Sequence, residues 1–326
     1  MRQIDKNTFF DITENFSYVP YTQSRGWWAF HSIKDENRFM FFVDSTEKPQ
    51  IACMGHIKKF LSLKMLQIDG ECFFDGKNID SKKIREFYKE ITQKGFDMIE
   101  IQSNTKWNFN YEIALRQAGF LHPIGQFSMP VTKIIDLTQE IIYDENWRRF
   151  IRKSLKNNLT MEVIDTITKK DCMDFIQLQN ALNERKKLSI NYSTVQIFAL
   201  CSDRKYQLFF ATYNGQRVAA LIVHKNEKTK HVHLNNVASN DIARQTSASY
   251  FIYFTMLQYL QKNGYLSFDL EKLIPAVDGV NNVFKFKNGI VGEYQRLNGE
   301  FSWYKRSYYR HLMYFVKKYL MKKREF

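Results

Sequence analysis

The fold is decided by a short stretch, Gln261–Tyr265 (Gln-Lys-Asn-Gly-Tyr), which separates a long helical pattern from a strand-like run. The helical pattern covers Ala243–Lys262 and the apolar strand covers Tyr265–Leu270. Gly264 stands where the helix should end. A helix that leads through a glycine into a short apolar strand is typical of an α/β sheet.

The first half of the sequence carries a similar stretch. Gln93–Phe96 (Gln-Lys-Gly-Phe) follows a helical pattern, Ser81–Lys94, and precedes the strand Asp97–Gln102. A further helix then ends at Gly119 in the first half and at Gly289 in the second. The paired glycines are 24 residues apart in the first half (119 − 95) and 25 in the second (289 − 264). Because the match falls at the same place in the order of elements, the sequence predicts duplication of one α/β unit.

In each half, three strand-like runs precede the long helix in the sequence. They are Arg38–Asp44, Gln50–His56 and Lys64–Gly70 in the first half, and Gln207–Tyr213, Gln216–His224 and His231–Val237 in the second. Asn214-Gly215 between two of them predicts a tight hairpin, because both residues tolerate positive φ. We expect domains at 1–140 and 141–300, followed by a basic amphipathic C-terminal helix at 301–326. A pair of strands is expected to close the second domain after the helix that ends at Gly289.

Composition excludes several classes of protein. The chain has 326 residues, of which 44% are hydrophobic, which suits packed cores and not disorder. Its polar N-terminus lacks a secretion signal and no run of eighteen apolar residues occurs, so a cytoplasmic protein is expected. The four cysteines lack zinc-like spacing, and His231 and His233 have no third ligand in the sequence pattern, so no metal site is predicted.

The charge is confined to one half. Residues 1–140 carry 18 Lys and Arg against 18 Asp and Glu, so the formal net charge of +14 comes from residues 141–326, with 30 against 16. This asymmetry indicates an anionic partner for the second half, such as a cofactor pyrophosphate, a nucleic acid or an acidic membrane.

Several blocks of sequence together carry a resemblance to one known family. The segment Trp147–Ser154 is similar to the Arg-x-x-Ile-Arg-Lys-Ala signature that opens the second FemABX domain. The other blocks are Leu115–Phe120, Ile134–Leu137, Asn183–Arg185, Gly215–Ala219, Phe268–Leu270 and Phe284-Lys285-x-x-Asn288-Gly289. They occur in the family's order over nearly the whole chain.

The resemblance implies two tandem GNAT-like (acyl-CoA N-acyltransferase) domains of the α/β (α+β) class, each a mixed sheet flanked by helices. The first would be the acceptor side and the second the donor side. No room remains for the coiled-coil arm of some members. The implied activity is transfer of an aminoacyl group from aminoacyl-tRNA to an amine of a cell-wall precursor or other cell-envelope glycan. Relatives use acyl-CoA on small amines, and a non-catalytic basic adaptor for RNA or membrane is a further alternative. A monomer is the default expectation.

Site residues follow in part from this resemblance. Lys285 matches the family's Phe-Lys position and would stabilise the oxyanion, while Arg185 matches an arginine used on acceptor phosphate. Asp269 ends a strand and is a candidate to accept the amine proton. Tyr192 and His233 are candidates to line the substrate cleft.

Arg244, Ser247 and Ser249 stand where acetyltransferases place a glycine-rich loop that binds the donor's pyrophosphate through helix N–H groups. Serines in place of glycines hinder close approach of a phosphate, which argues slightly for a donor other than coenzyme A.

Two helices carry basic faces. Arg148, Arg152 and Lys156 form one face of the helix at 146–158, where they would be solvated or contact tRNA phosphates. Near the C-terminus an aromatic stripe accompanies eight basic residues and one acid in 302–326. The stripe is made of Tyr308, Leu312, Phe315 and Tyr319. It would either pack against the second domain or rest on an anionic membrane.

Overall fold

The computed structural model describes residues 1–60, 62–76, 80–125, 127–128, 130–273 and 282–321. The strands are β1 Arg2–Ile4, β2 Phe39–Val43, β3 Ile51–Phe60, β4 Leu63–Ile68, β5 Cys72–Phe73, β6 Met98–Lys106, β7 Val131–Asp136, β8 Thr160–Ile164, β9 Tyr206–Tyr213, β10 Gln216–Asn226, β11 His231–Ser239, β12 Ser267–Asp269 and β13 Glu293–Tyr304. The helices are α1 Lys6–Glu14, α2 Arg25–Ser32, α3 Ser81–Thr92, α4 Phe109–Gln117, α5 Glu145–Leu155, α6 Lys169–Lys186, α7 Thr194–Cys201, α8 Asp241–Thr246, α9 Ala248–Lys262, α10 Asn282–Asn288 and α11 Tyr308–Phe315.

The chain divides into two compact units. Unit 1 consists of Met1–Ser24, Lys34–Val131 and the chain from Gln295 onward, and unit 2 consists of Arg25–Ile33 and Thr132–Tyr294. These limits differ from the predicted 1–140, 141–300 and 301–326. Strand pairing accounts for the differences, because β7 hydrogen bonds to β12 within unit 2 and β13 hydrogen bonds to β6 within unit 1.

The sheet of unit 1 has the strand order β1-β2-β3-β4-β6-β13, with β5 also paired to β3. Its neighbours are antiparallel except β4 and β6, which are parallel. Helix α3 leads into β6 and buries Ile84, Phe87 and Ile91 against this sheet, as the sequence predicts. Gly95 ends the helical segment with φ +76°, a conformation that glycine adopts without strain.

The sheet of unit 2 has the order β8-β9-β10-β11-β12-β7, in which β11 and β12 are the parallel pair. Helices α5 and α9 cover one face and α2, α6 and α7 cover the other, each with its own apolar core. The predicted hairpin is confirmed, since Asn214 and Gly215 both have positive φ and Tyr213 pairs with Gln216. Between β8 and β9 the chain forms α6 and α7, so the coiled-coil arm is absent there, as expected.

The two units repeat one arrangement. In each, an antiparallel set of strands is followed by a helix, a glycine with positive φ (Gly95 or Gly264, +76° and +75°) and a strand that pairs in parallel. The prediction of a duplicated α/β unit with mixed sheets is therefore confirmed.

Three details of the prediction are wrong. The helix expected over Ala243–Lys262 is two helices, α8 and α9, because Ser247 has a left-handed φ of +61°. The strand pair expected near the end of the second domain is one long strand, β13. The C-terminal helix begins at Tyr308, after that strand, and continues as a π-helix over Val316–Leu320. Among the described residues, no helix is both long and apolar enough to cross a bilayer.

Candidate functional site

The candidate site lies in unit 2, where the parallel pairing of β11 and β12 ends. Three residues of each strand pair, His231–His233 with Ser267–Asp269, whereas β11 continues alone beside β10 to Ser239. His233 and Asp269 are the last pair of this register. A position where a parallel pair ends is a usual place for ligands in α/β sheets.

His233 and Asp269 form a buried acid–base pair. His233 Nδ1 lies 3.3 Å from Asp269 Oδ2. The other carboxylate oxygen accepts hydrogen bonds from the Thr132 hydroxyl and from the Glu271 N–H, the latter at 2.7 Å. Asp269 is therefore held in place by three neighbours, and it in turn orients the imidazole of His233.

Burial and charge oppose each other in this pair. Burial alone would lower the pKa of His233, but the hydrogen bond and charge of Asp269 raise it above its ordinary value. Burial would raise the pKa of Asp269, but the contacts with His233 and Thr132 lower it overall. The carboxylate is thus kept ionised, and the raised pKa makes His233 the group of the pair that takes up a proton.

Two further histidines surround His233. The ring of His231 lies 4.5 Å from that of His233, and its Nδ1 is 2.6 Å from Ser267 Oγ. Burial, together with the neighbouring His233, lowers the pKa of His231 to about 3. His224 pairs across the strands with His233, and burial lowers its pKa as well. Both rings are therefore neutral at physiological pH.

This cluster bears on the metal prediction, which rested on the lack of a third ligand for His231 and His233. The structure supplies one, because ligand atoms of these histidines and Asp269 lie within 4.8 Å of one another. The direct contact between His233 and Asp269 already pairs these two groups without an ion. We therefore interpret the cluster as an acid–base site.

Of two lysines on α10, the structure places Lys287 toward the pair. Its ammonium donates to the Lys272 carbonyl at 3.2 Å. Burial lowers the pKa of Lys287, while the charges of Glu271 and Asp269 act in the opposite direction. Lys285, predicted to be catalytic, is exposed on the same helix. Residues two apart on a helix are turned by about 200°, so they lie on opposite sides.

The end of α10 is fixed by a buried tryptophan. Trp147 Nε1 donates to the Phe286 carbonyl at 2.7 Å, and the two rings lie 4.7 Å apart. A Cβ on Gly289 would lie 2.1 Å from Trp147 Cδ1, so only glycine fits there. Buried Lys133 also donates to the Asn288 carbonyl at 3.0 Å. These contacts set the rotation of α10 and hence the position of Lys287.

Two predicted substrate residues are engaged elsewhere in unit 2. The guanidinium of Arg185 donates to the Asn240 carbonyl at 2.9 Å and to Ser239 Oγ at 3.0 Å. Ser239 is six residues beyond His233, or about 20 Å along the strand. Tyr192 packs edge-on against Phe30, with ring centroids 5.1 Å apart. The structure thus brings His233 and Asp269 together and gives Arg185 and Tyr192 internal partners.

The predicted phosphate loop is filled by its own backbone. Helix α8 precedes it, and the Ser247 N–H donates to the carbonyls of Ala243 and Arg244. The N–H groups of Tyr250 and Phe251 donate to the Ser247 carbonyl. Ser247 itself is buried, whereas Arg244 is exposed and Ser249 is half-buried. Three N–H groups of the loop are therefore already paired.

Helix α5 presents a basic surface. Trp147 and Ile151 are buried against the core of unit 2. The exposed positions include five cations: Arg148, Arg149, Arg152, Lys153 and Lys156. The predicted amphipathic pattern is confirmed, and this surface can contact a polyanion.

Unit 1 contains a cavity of about 260 Å³. Its walls combine strands β4, β6 and β13 with the C-terminal helix. Lys317, which is buried, and Glu100 form an ion pair of 2.9 Å in the wall. Lys58 and Glu300 add further charges of both signs.

Three solved structures share the fold. FemX aligns with a TM-score of 0.74 and 12% identity over 96% of this chain and 100% of FemX. L-PGS from Bacillus licheniformis aligns with a TM-score of 0.67 and 14% identity over 96% of both chains. The third is the DUF2156 C-terminal domain of a protein assigned as a lysylphosphatidylglycerol synthetase from Agrobacterium fabrum, with a TM-score of 0.63 and 13% identity over 95% of this chain and 96% of that one.

By sequence, the chain matches neither a protein-family model nor a curated protein. The structural similarity therefore establishes the fold, a FemABX-like double GNAT fold, at identities that leave donor and acceptor open.

Proposed function

We propose that this protein is an N-acyltransferase that moves an aminoacyl group to an amine of a cell-envelope component. The observation that carries the proposal is the buried His233–Asp269 pair at the end of the parallel pairing. The fold shared with FemX and L-PGS supports it. One neighbour is named for the synthesis of an aminoacylated lipid, which favours an acceptor in the envelope.

The chemistry follows from the pair. An amine attacks the acyl ester carbon, and a C–N bond forms as the carbonyl becomes an oxyanion. His233 takes the amine proton, and Asp269 stabilises the imidazolium that results. Collapse of the intermediate breaks the C–O bond of the ester, and the proton passes from His233 to the leaving oxygen, which departs as a hydroxyl. The pair ends as it began, so no further reactant is required.

A cation is needed where the oxyanion develops. An ammonium in a poorly solvated site stabilises that charge far more than one in water. Lys287 is 3.2 Å from the Lys272 carbonyl, close to Asp269 and Glu271, and has the required burial. The family resemblance assigns the same role to Lys285, which is exposed. The two lysines therefore form a matched pair for testing.

The donor is more consistent with aminoacyl-tRNA than with acyl-CoA. A pyrophosphate binds through N–H groups that are free at a helix start, and two N–H groups of this segment, those of Ser247 and Tyr250, are paired within the protein. A tRNA binds through surface cations, which α5 provides. Both observations favour the tRNA.

The test is transfer of radiolabel from aminoacyl-tRNA or, separately, acetyl-CoA to an amine-bearing cell-envelope extract. We expect transfer from the tRNA, with a loss of at least about 100-fold in His233→Gln, since general bases contribute 10²–10⁴-fold. Lys287→Ala should lose about 100-fold or more. Lys285→Ala, its exposed counterpart, should keep most of the activity.

Other outcomes would change the assignment. Loss in Lys285→Ala but not in Lys287→Ala would return the oxyanion role to Lys285. Transfer from acetyl-CoA alone would indicate the alternative, an acyl-CoA-dependent N-acyltransferase that acts on a small amine. No transfer from either donor, combined with salt-sensitive tRNA binding, would support the basic adaptor instead.

A further inference from the structure

The C-terminal helix has two different faces. Tyr309, Met313 and Val316 are buried, and the first two pack on Met65 and Met98 in the sheet of unit 1. The helix therefore packs on unit 1 through this inner face, so the expectation that its aromatic stripe packs against the second domain is wrong.

The aromatic stripe lies on the outer face. Tyr308, Phe315 and Tyr319 are 53%, 51% and 56% exposed. The rings of Phe315 and Tyr319 contact each other, with centroids 5.0 Å apart. Leu320 extends the surface and is also more than half exposed, whereas Met321 lines the cavity of unit 1 beside Met313 and Val316. A helix with one packed face and a second, exposed aromatic face needs a further partner for the second.

Positive charge surrounds this stripe. Lys305 and Arg306 are exposed just before the helix, and Lys318 lies 5.8 Å from the centre of the Tyr319 ring. The sequence continues with Lys322, Lys323 and Arg324, which lie outside the described residues. In total, residues 302–326 carry eight basic side chains and one acid. Aromatic side chains within a basic segment match the boundary of an anionic bilayer, where rings enter the headgroup region and cations contact lipid phosphates.

We propose that the outer face of the C-terminal helix, formed by Tyr308, Phe315, Tyr319 and Leu320, docks the protein on an anionic lipid surface. The helix lies in the plane of the interface, with its inner face still packed on unit 1. The proposal concerns a surface of unit 1 and does not depend on the transferase activity assigned to unit 2.

The test is co-sedimentation of the full chain with vesicles of phosphatidylcholine alone and with 30% phosphatidylglycerol. We expect binding to the anionic vesicles, weakened by 0.5 M NaCl. The double variant Phe315→Ser/Tyr319→Ser should bind about tenfold less tightly, since its two rings no longer enter the headgroup region. Lys305→Gln/Arg306→Gln should also bind anionic vesicles about tenfold or more less tightly, because each cation contributes about a fivefold factor to the affinity.

The matched control is Phe109→Ser/Ile113→Ser on α4, which removes two exposed apolar side chains with the same four-residue spacing. It should bind like the wild type. Equal binding to neutral and anionic vesicles would overturn the proposal, and so would a loss in the control Phe109→Ser/Ile113→Ser as large as that in Phe315→Ser/Tyr319→Ser. So would a dimer in light scattering that Phe315→Ser/Tyr319→Ser abolishes, since the face would then cover a second copy. A normal melting temperature of each variant excludes misfolding as the cause.

Discussion

Asp269→Asn tests whether the carboxylate sets the basicity of His233. The change keeps the shape of the side chain and removes its charge from an atom 3.3 Å from His233 Nδ1. A hydrogen bond to a charged group contributes about 1.5–3 kcal/mol, and one pKa unit corresponds to 1.36 kcal/mol. We therefore expect the pKa of His233 to fall by about 1–2 units. Burial then dominates, so the pKa should move from above its ordinary value to below it.

The measurement is an NMR pH titration of protein with ¹³C-labelled histidine. The chain has seven histidines, so the His233 signal is assigned by its loss in His233→Gln. Asp241→Asn is the control, because Asp241 is an exposed carboxylate that pairs with Arg185 at the other end of β11. That variant should leave the His233 titration unchanged.

The same shift has a kinetic consequence. A general base must be neutral to accept a proton, so wild-type activity should fall as the pH drops through the raised pKa of His233. In Asp269→Asn the inflection should move to lower pH, and the plateau rate should fall because the imidazolium has lost its counter-charge. A His233 titration identical in wild type and Asp269→Asn would refute the reasoning, since the two groups would then not be coupled.

Two predictions concern the stability of unit 2. In the wild type the Arg217 guanidinium lies 2.8 Å from the carboxylate of Glu162 and 2.7 Å from that of Asp171, and Arg217→Met removes this cation. The free energy of unfolding at pH 7 should fall by about 3 kcal/mol. This is the low end for a broken buried ion pair, because Glu162 is more than a third exposed. Arg217 helps to hold the pKa values of both carboxyls below their ordinary range, so the wild type loses this stabilisation as the pH falls. The difference in free energy of unfolding between wild type and variant should therefore shrink toward pH 4. Equal differences in urea unfolding at pH 7 and 4.5 would contradict this. Gly289→Ala places a Cβ 2.1 Å from Trp147 and should lower the free energy of unfolding by about 1–3 kcal/mol. An unchanged melting temperature would show that α10 can shift freely.

The sequence predicted the two members of the acid–base pair but not that they are a pair. Asp269 was identified at a strand end, and His233 by its face on another strand. Parallel strands joined by a helix carry no local signal of register, unlike the Asn214-Gly215 hairpin, whose turn fixes it. The pairing of His233 with Asp269 therefore required the structure. The fold was predictable because the helix–glycine–strand pattern occurs twice and its glycines have the expected positive φ.

The position of the lysine depended on helix rotation. The segment 284–287 reads Phe-Lys-Phe-Lys, and the spacing of the motif to Asn288-Gly289 selects Lys285. That spacing carries no information on which of the two lysines faces the acid–base pair. The contacts of Trp147 with Phe286 and of Asn288 with Lys133 fix the rotation, and these involve residues about 140 or more positions away. The position of Lys287 relative to the acid–base pair therefore could not be predicted from sequence.

The break at Ser247 links the choice of donor to a small change in backbone. Helix α8 ends there, and the Ser247 N–H donates to carbonyls of its last turn. The Ser247 carbonyl in turn accepts hydrogen bonds from the N–H groups of Tyr250 and Phe251. A phosphate cannot bind through these three N–H groups while they are paired within the protein. They lie beyond Ser239, about 20 Å along β11 from His233. The predicted donor loop and the acid–base pair therefore lie at opposite ends of β11.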